Sequence, residues 1–210
     1  MKNIKIVIQA RMGSQRLPGK MLLPINKKPM LLFLLDRLSQ IFDKDSIIVA
    51  TSLKQNDSKI YDLCQDNKYQ CFRGSEKDVF SRFKEISKVY NEIDHIVRLT
   101  GDNPFINLDL IQNVLSFHLS NNSTFTSTRE ISDEIVKRYS PKGQSVDVIC
   151  VKGFNDIVES DLSDYDREHV IPIFYKKFQY HIFKPKNVES LLSLSIDSFT
   201  DYEKTKKIKY

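Results

Sequence analysis

Three cations crowd one short segment of this chain. In Gln9-Ala10-Arg11-Met12-Gly13-Ser14-Gln15-Arg16-Leu17-Pro18-Gly19-Lys20, Arg11, Arg16 and Lys20 are interleaved with glycines and a serine. Such small residues let backbone N–H groups turn inward and form an anion-binding concavity. Arginine forks suit phosphate oxygens, and lysine adds a compact mobile charge. These types point to a polyphosphate cradle, although a surface loop with solvated charges has a similar make-up.

A cradle of this kind needs a strand before it and a helix after it. Residues 4–10 are nearly continuous in apolarity, as a strand buried on both faces would be. Pro29 can open a helix, and Leu31, Leu34, Leu35, Leu38, Ile41 and Phe42 keep helical spacing. Residues 46–51 read as a second buried strand. Asn56 or Asp57 then caps a helix carrying Ile60, Leu63 and Cys64 inward. A short strand over 70–73 follows. Ser75 is read as the cap of the next helix, with Asp78 three residues on and Val79, Phe80, Phe83, Ile86 and Tyr90 on its buried face. Residues 93–100 form another strand, stopped by Gly101-Asp102-Asn103-Pro104, and Asn107 caps the helix beyond.

Strands alternating with helices at this spacing imply right-handed βαβ units and an α/β fold. The expectation is a Rossmann-like open, mostly parallel sheet with helices on both faces. The second half is less regular. Strands are expected over 123–128, 145–151, 180–183 and 191–196, and helices over 154–159, from Asp166 with a break at Pro172, and from Phe199. No repeat, linker or low-complexity stretch divides the chain, so residues 1–210 read as one domain. Ligands of open parallel sheets lie at the carboxyl ends of the strands. The loops 11–20, 74–75 and 101–102 all fall there, which is the reason to treat them as one site.

Composition narrows the partners. The chain has 210 residues, 40% hydrophobic and 28% charged, with a net charge of +5, an ordinary globular balance. Its lysine-rich pieces, Lys27-Lys28, Lys176-Lys177 and the run from Lys204, are too dispersed for a nucleic-acid platform. Cys64, Cys71 and Cys150 form no CxxC and read as buried thiols in a reducing compartment. No signal peptide and no apolar run of membrane-spanning length is visible, so a cytoplasmic protein without membrane contact is expected. No Ser/His/Asp or Cys/His arrangement supports a hydrolase.

The segment from Gln9 to Lys20 resembles the nucleotide-binding signature of CTP-dependent cytidylyltransferases that activate acidic sugars. These are the CMP-Kdo and CMP-sialate synthetases, with the spore-coat polysaccharide biosynthesis type most similar. The likeness extends to Cys-Phe-Arg-Gly-Ser-Glu (71–76), Val-Arg-Leu-Thr-Gly-Asp-Asn-Pro (97–104), Tyr-Asp-Arg-Glu-His-Val (165–170) and Leu-Ser-Ile-Asp-Ser-Phe-Thr-Asp-Tyr (194–202). Residues 126–144 match poorly, which leaves the acceptor undefined. The glycine-rich signature of hexose-1-phosphate nucleotidyltransferases is absent, because Ala10-Arg11-Met12 stands in its place.

The resemblance implies roles residue by residue. Arg11 and Lys20 hold the triphosphate and count, with Asp102, as catalytic. Gln9, Ala10, Met12, Gly13, Ser14, Arg16 and Thr100 complete the nucleotide site, and Arg73, Gly74 and Ser75 recognise cytosine. Mg²⁺ takes one or two protein carboxylates beside waters and phosphates; Asp102 is the first candidate and Asp197 matches the family's second. Arg98, which strand alternation sets on the side of Thr100 and Asp102, is an acceptor candidate with Arg167 and His169. His95, His118 and His181 receive no role.

Plainer roles stay open at this level: Asp102 as a turn residue, Asp197 as a helix cap, and Asp78 with Arg82 as an i,i+4 ion pair. The expected activity is transfer of CMP from CTP to an acidic or phosphorylated sugar-like acceptor in surface-polysaccharide biosynthesis, with a homodimer implied by the family alone. Alternatives are another nucleotide, a non-sugar acceptor, or a nucleotide-binding module without turnover.

Overall fold

Side chains that alternate along the first strand go to opposite cores. In β1 (Ile4–Gln9), Ile6 and Ile8 enter one apolar cluster while Val7 enters another, and all three are fully buried. A sheet covered on both faces follows from that division. The computed structural model describes residues 2–90, 92–132, 135–188 and 191–208.

After β1, a small hairpin of β2 (Pro24–Ile25) and β3 (Lys28–Pro29) leads into α1 (Met30–Leu38). Next come β4 (Ile47–Ser52), α2 (Ser58–Asp66), β5 (Gln70–Gly74), α3 (Val79–Val89), β6 (His95–Thr100) and α4 (Leu108–Ser120). The second half holds β7 (Phe125–Ser127), β8 (Arg129–Ser132), β9 (Ile135–Arg138), β10 (Asp147–Cys150), α5 (Val151–Asp156), α6 (Asp164–His169), α7 (Pro172–Lys177), β11 (Tyr180–Ile182) and α8 (Phe199–Thr205).

The main sheet has seven strands in the order β11-β7-β10-β6-β1-β4-β5. β10 runs antiparallel to both its neighbours and the other pairings are parallel, so the expected mostly parallel α/β sheet is what forms. Helices α1, α2, α4 and α8 pack residues such as Leu34, Ile60, Ile111 and Tyr202 into one cluster. Helices α3, α5 and α7 pack Phe80, Phe83, Phe154 and Phe174 into the other. Strand order reverses beside β1, where the chain leaves β5 and returns to β6 on the opposite flank. Gln9 and Thr100, the last residues of β1 and β6, are register partners there. A topological switch of this kind opens a crevice at the strand ends.

Three local expectations are corrected. Residues 191–196 form extended chain, not a strand; Leu194 and Ile196 bury one face, which alternation alone cannot distinguish from strand pairing. Asp78, not Ser75, caps α3: its carboxylate accepts from the Ser81 N–H at 2.8 Å, and Ser75 Oγ only supports the turn before it. Arg82 is not an exposed partner of Asp78. It is buried with its Nη1 donating to the carbonyl of Ala50 at 3.1 Å, while Asp78 pairs with Arg167. The β8–β9 hairpin has no counterpart in the sequence reading, because β9 is exposed along its length and lacks a buried stripe.

Candidate active site

Lys20 stands at the centre. Gly19 takes a left-handed backbone (φ 72°) and turns the chain into a short 3-10 turn, Lys20–Leu22, that carries the lysine inward. Its Nζ donates to the carbonyl of Ile196 at 2.8 Å, to Asp102 Oδ2 at 3.1 Å and to Asp197 Oδ1 at 3.4 Å. A buried ammonium needs this kind of satisfaction, and two carboxylates also neutralise it.

Asp102 is held by the turn after β6, and the Ile196 N–H donates to its own carbonyl at 2.8 Å. That bond fastens the extended segment before α8 to the β6 turn and brings Asp197 alongside. Asp197 is gripped by further cations: Arg16 Nη2 at 3.4 Å from Oδ1 and Lys142 Nζ at 2.8 Å from Oδ2. Burial pushes its carboxyl upward, but the Lys142 hydrogen bond and the charges of Lys20, Lys142 and Arg16 outweigh it and hold the group below the usual aspartate range. Asp197 is therefore not the cap of α8. Ser198 caps that helix in a reciprocal arrangement with Asp201.

Around these groups lies a cleft of about 220 Å³ lined by Gln9, Ala10, Arg11, Ser14, Arg16, Lys20, Met21, Thr100, Asp102 and Asp197. Arg11 is exposed on its wall and also borders a second cleft of about 490 Å³, with Glu76, Lys77, Asp78, Asp164, Arg167 and Glu168. Residues distant in sequence thus meet on one rim.

Other predicted residues sit differently. Met12 and Gly13 form the loop and do not line the first cleft; the Met12 N–H donates to Asp57 Oδ1 at 2.7 Å. Arg73 donates to the carbonyls of Ser52 and Lys54 at 3.1 Å each, so its guanidinium ties β5 to the end of β4. Gly74 is packed under Arg82, and Ser75 Oγ accepts from the Asp78 N–H at 3.1 Å; neither residue lines either cleft. Arg98 is buried, with Nη1 on Asp147 and Nη2 on Gln9 Oε1, each at 2.9 Å, and it lines neither cleft. Arg167 faces the second cleft through its pair with Asp78 at 2.5 Å. His169 stacks edge-on against Tyr165, ring centroids 4.3 Å apart.

Lys142 and Asp147 were not read from sequence, and Asp57 and Glu76 were given no part in the site. The Pro141-Lys142-Gly143 turn was the available signal for Lys142. Asp57 stands at the N-cap position of α2, as one of the two residues read there, but its side chain makes no capping bond; it accepts from the Met12 N–H and Ser52 Oγ and buttresses the cation-bearing loop.

The donor set suits a hard divalent cation. Two carboxylates converge where an ammonium now serves as counter-ion, and no group of three or more His, Cys, Asp or Glu side chains suited to a metal occurs among the described residues. Mg²⁺, which keeps several waters and substrate oxygens, asks for no more protein ligands than that. Among the described residues no helix is long and apolar enough to cross a membrane.

Known proteins share this architecture. A family model described as cytidylyltransferase matches residues 5–209. The spore coat polysaccharide biosynthesis protein SpsF of Bacillus subtilis is 32% identical over 213 residues, covering 99% of this chain and 87% of that protein. A solved cytidylyltransferase from Leptospira borgpetersenii serovar Hardjo-bovis superposes with a TM-score of 0.84 at 30% identity, over 97% of this chain and 84% of the other. The fold alone is shared with a CMP:2-keto-3-deoxy-manno-octonic acid synthetase solved with CTP, at a TM-score of 0.73, 16% identity and 98% coverage of both chains.

Proposed function

This chain belongs to the cytidylyltransferase family and is a CTP-dependent nucleotidyltransferase, and from that premise we propose that it transfers CMP from CTP to an acidic or phosphorylated sugar-like acceptor during surface-polysaccharide assembly. In the reaction a hydroxyl oxygen of the acceptor bonds to the α-phosphorus. The bond from that phosphorus to the bridging oxygen of the β-phosphate breaks, pyrophosphate leaves, and the hydroxyl proton passes to solvent.

The observation that carries this reading is the convergence of Lys20 on Asp102 and Asp197 at the carboxyl ends of β1 and β6. Arg11, Arg16 and Lys20 neutralise the triphosphate, and the Gly13-Ser14 backbone closes around it. Asp102 and Asp197 would hold Mg²⁺, which when bound supplies charge neutralisation at the phosphate oxygens. Positioning and fixed charge provide most of the acceleration in transfers of this type. The second cleft, joined to the first through Arg11, has room for the nucleoside, and Glu76, Lys77 and Asp78, which follow Arg73-Gly74-Ser75 in the chain, line it. The polysaccharide context is supported by the name of SpsF, and the sugar-acid acceptor by the 3-deoxy-manno-octulosonate cytidylyltransferase of Psychrobacter, 34% identical over 53% of this chain, and by the cations at the rim.

Pyrophosphate release, measured with Mg²⁺ and each of CTP, UTP, ATP and GTP, tests the proposal. The acceptors are 2-keto-3-deoxy-manno-octonic acid, a panel of related nonulosonic acids, sugar phosphates and neutral hexoses. Turnover confined to CTP with an anionic acceptor is expected. Turnover with neutral hexoses and none with any anionic sugar contradicts it.

A further inference from the structure

Asp102 stands on a turn and Asp197 on extended chain, so no sheet ladder fixes the distance between them. The Ile196 N–H, bonded to the Asp102 carbonyl at 2.8 Å, is one tie. Lys20 is another, made from inside the cleft through Asp102, Asp197 and the Ile196 carbonyl. A divalent cation between the carboxylates would compete with that ammonium for the same oxygens. The spacing of the pair has then to be held from behind.

Gln144 is built to do this. It is fully buried and lines neither cleft. Its Oε1 accepts from the Asn107 N–H at 2.8 Å, and its Nε2 donates to the carbonyls of Phe105 at 3.2 Å and Leu192 at 2.8 Å. Phe105 and Asn107 close the turn that holds Asp102, and Leu192 lies in the extended segment that leads to Asp197. One amide therefore bonds to both carboxylate-bearing segments. An N–H on one side and two carbonyls on the other fix which end of the amide points where.

The backbone of Gln144 is held as firmly. Its N–H donates to the Pro141 carbonyl at 3.0 Å, and its carbonyl accepts from Ser140 Oγ at 2.8 Å. The same loop sends Lys142 to Asp197. From the α1 side, Arg37 Nη1 grips the carbonyls of Pro104 and Ile106 at 2.7 and 2.9 Å. The Asp102 turn is thus clamped between α1 and the loop 140–144, and the Gln144 jaw continues into the Asp197 segment. A buried amide with all its partners in place is a rigid joint, and losing it strands three backbone groups.

We propose that Gln144 is a positioning residue that sets the separation of Asp102 and Asp197 and thereby makes the pair selective for Mg²⁺. This rests on the metal reading given above. Mg²⁺ requires near-ideal octahedral geometry with short bonds, whereas Ca²⁺ accepts longer and less regular ones. A clamp on the carboxylates therefore matters most for the smaller ion. Side chains that orient metal-binding groups without touching the metal commonly carry about 10- to 100-fold in metal affinity.

The test titrates CTP alone, with Mg²⁺ and with Ca²⁺ into wild type, Gln144→Met and Gln144→Asn by calorimetry. Metal-free CTP affinity serves as the control for folding and should stay within about 3-fold of wild type, because Gln144 lines neither cleft. In Gln144→Met the gain in CTP affinity from Mg²⁺ should shrink about 10-fold or vanish, while the gain from Ca²⁺ stays within about 2-fold of wild type. Amide exchange at Ile196 should quicken about 10-fold or more in the metal-free variant with β1 unchanged, since the clamp behind its bond to Asp102 is gone. An intact Mg²⁺ gain with unchanged exchange at Ile196 in both variants overturns the inference, whatever their melting temperatures, and leaves the cytidylyltransferase reading standing. Equal losses for Mg²⁺ and Ca²⁺ also overturn it, because they mark a general loss of packing. A wild type whose CTP affinity ignores Mg²⁺ overturns the metal reading and this inference with it. Should Gln144→Met fail to bind metal-free CTP, Gln144→Asn, which keeps an amide but is one methylene too short for all three groups, decides by the same criteria.

Discussion

Lys20 and Asp102, 82 positions apart in sequence, meet with Nζ 3.1 Å from Oδ2 on the rim of the sheet. The lysine is buried, and its other partners are the Ile196 carbonyl and Asp197. It thus fills, with an ammonium, the place where two carboxylates converge. Lys20→Gln keeps most of the length and removes the charge. It should weaken CTP binding about 10- to 100-fold by calorimetry, since charged hydrogen bonds carry roughly 1.5–3 kcal/mol. Lys20→Arg should not restore turnover, because a planar fork does not fit three acceptors arranged around one nitrogen.

Asp57 stiffens the loop that carries Arg11 and Arg16. It is buried and accepts from the Met12 N–H at 2.7 Å and from Ser52 Oγ. Asp57→Ala leaves both donors without their acceptor and should cost about 2–3 kcal/mol in urea unfolding. CTP affinity should fall as well, because the loop no longer starts in its binding shape.

Gly143 lets the turn that carries Lys142 reach the extended segment before α8. Its φ is 90°, and a Cβ there would lie 2.1 Å from the Leu194 carbonyl oxygen, so the backbone must move. Gly143→Ala is expected to lower stability by about 2 kcal/mol or more. It should also reduce turnover by shifting Lys142 from Asp197. A thermal melt and a pyrophosphate assay on the same sample check both.

A pair of buried histidines makes stability depend on pH. His95 Nδ1 and His118 Nε2 are 3.0 Å apart, and His118 Nδ1 is 2.9 Å from Thr126 Oγ1. Burial first, then the charges of His95, Lys2 and His181, push His118 down to about 3 from an ordinary 6.5. A group whose folded pKa is depressed stays neutral in the native state and binds a proton when unfolded. Stability is therefore whole above about pH 6.5 and declines as pH falls toward 3, by about 2 kcal/mol at pH 5 from this group alone. Urea midpoints between pH 7 and 5 should follow that slope, and His118→Gln should flatten it. A flat wild-type profile contradicts the assignment.

The first half of the fold was legible because its strands are buried on both faces and its helices keep a clean apolar stripe. β1, β4 and β6 are rich in Ile, Val and Leu, and Asn107 caps α4 as its type and position suggest. The meeting of Lys20 with Asp102 followed from loops at carboxyl ends of parallel strands. What escaped was whatever depends on tertiary partners. Arg98 was read as an acceptor residue from strand alternation, but it is buried away from both clefts, and only the antiparallel entry of β10 delivers Asp147 to it. Asp57 looked like a helix cap because capping and loop-buttressing use the same residue type. The β8–β9 arm is short, and β9 is exposed along its length, so no buried stripe marks it. Lys142 reaches Asp197 through a turn held by Gln144, whose Nε2 donates to the carbonyls of Phe105 and Leu192 at 3.2 and 2.8 Å.

Asp102 and Asp197 are proposed as the carboxylate half of a metal–nucleotide site completed by Lys20. Calorimetric titration of CTP into wild type and into Asp102→Asn, each with and without Mg²⁺, tests that proposal most directly. Wild type should bind CTP at least about 10-fold more tightly with Mg²⁺. Asp102→Asn should bind metal-free CTP as well as wild type does, lose the Mg²⁺ increment, and release pyrophosphate about 100-fold or more slowly. Equal CTP affinity with and without Mg²⁺ in wild type, together with an Asp102→Asn variant that turns over normally, would exclude a metal role for these carboxylates.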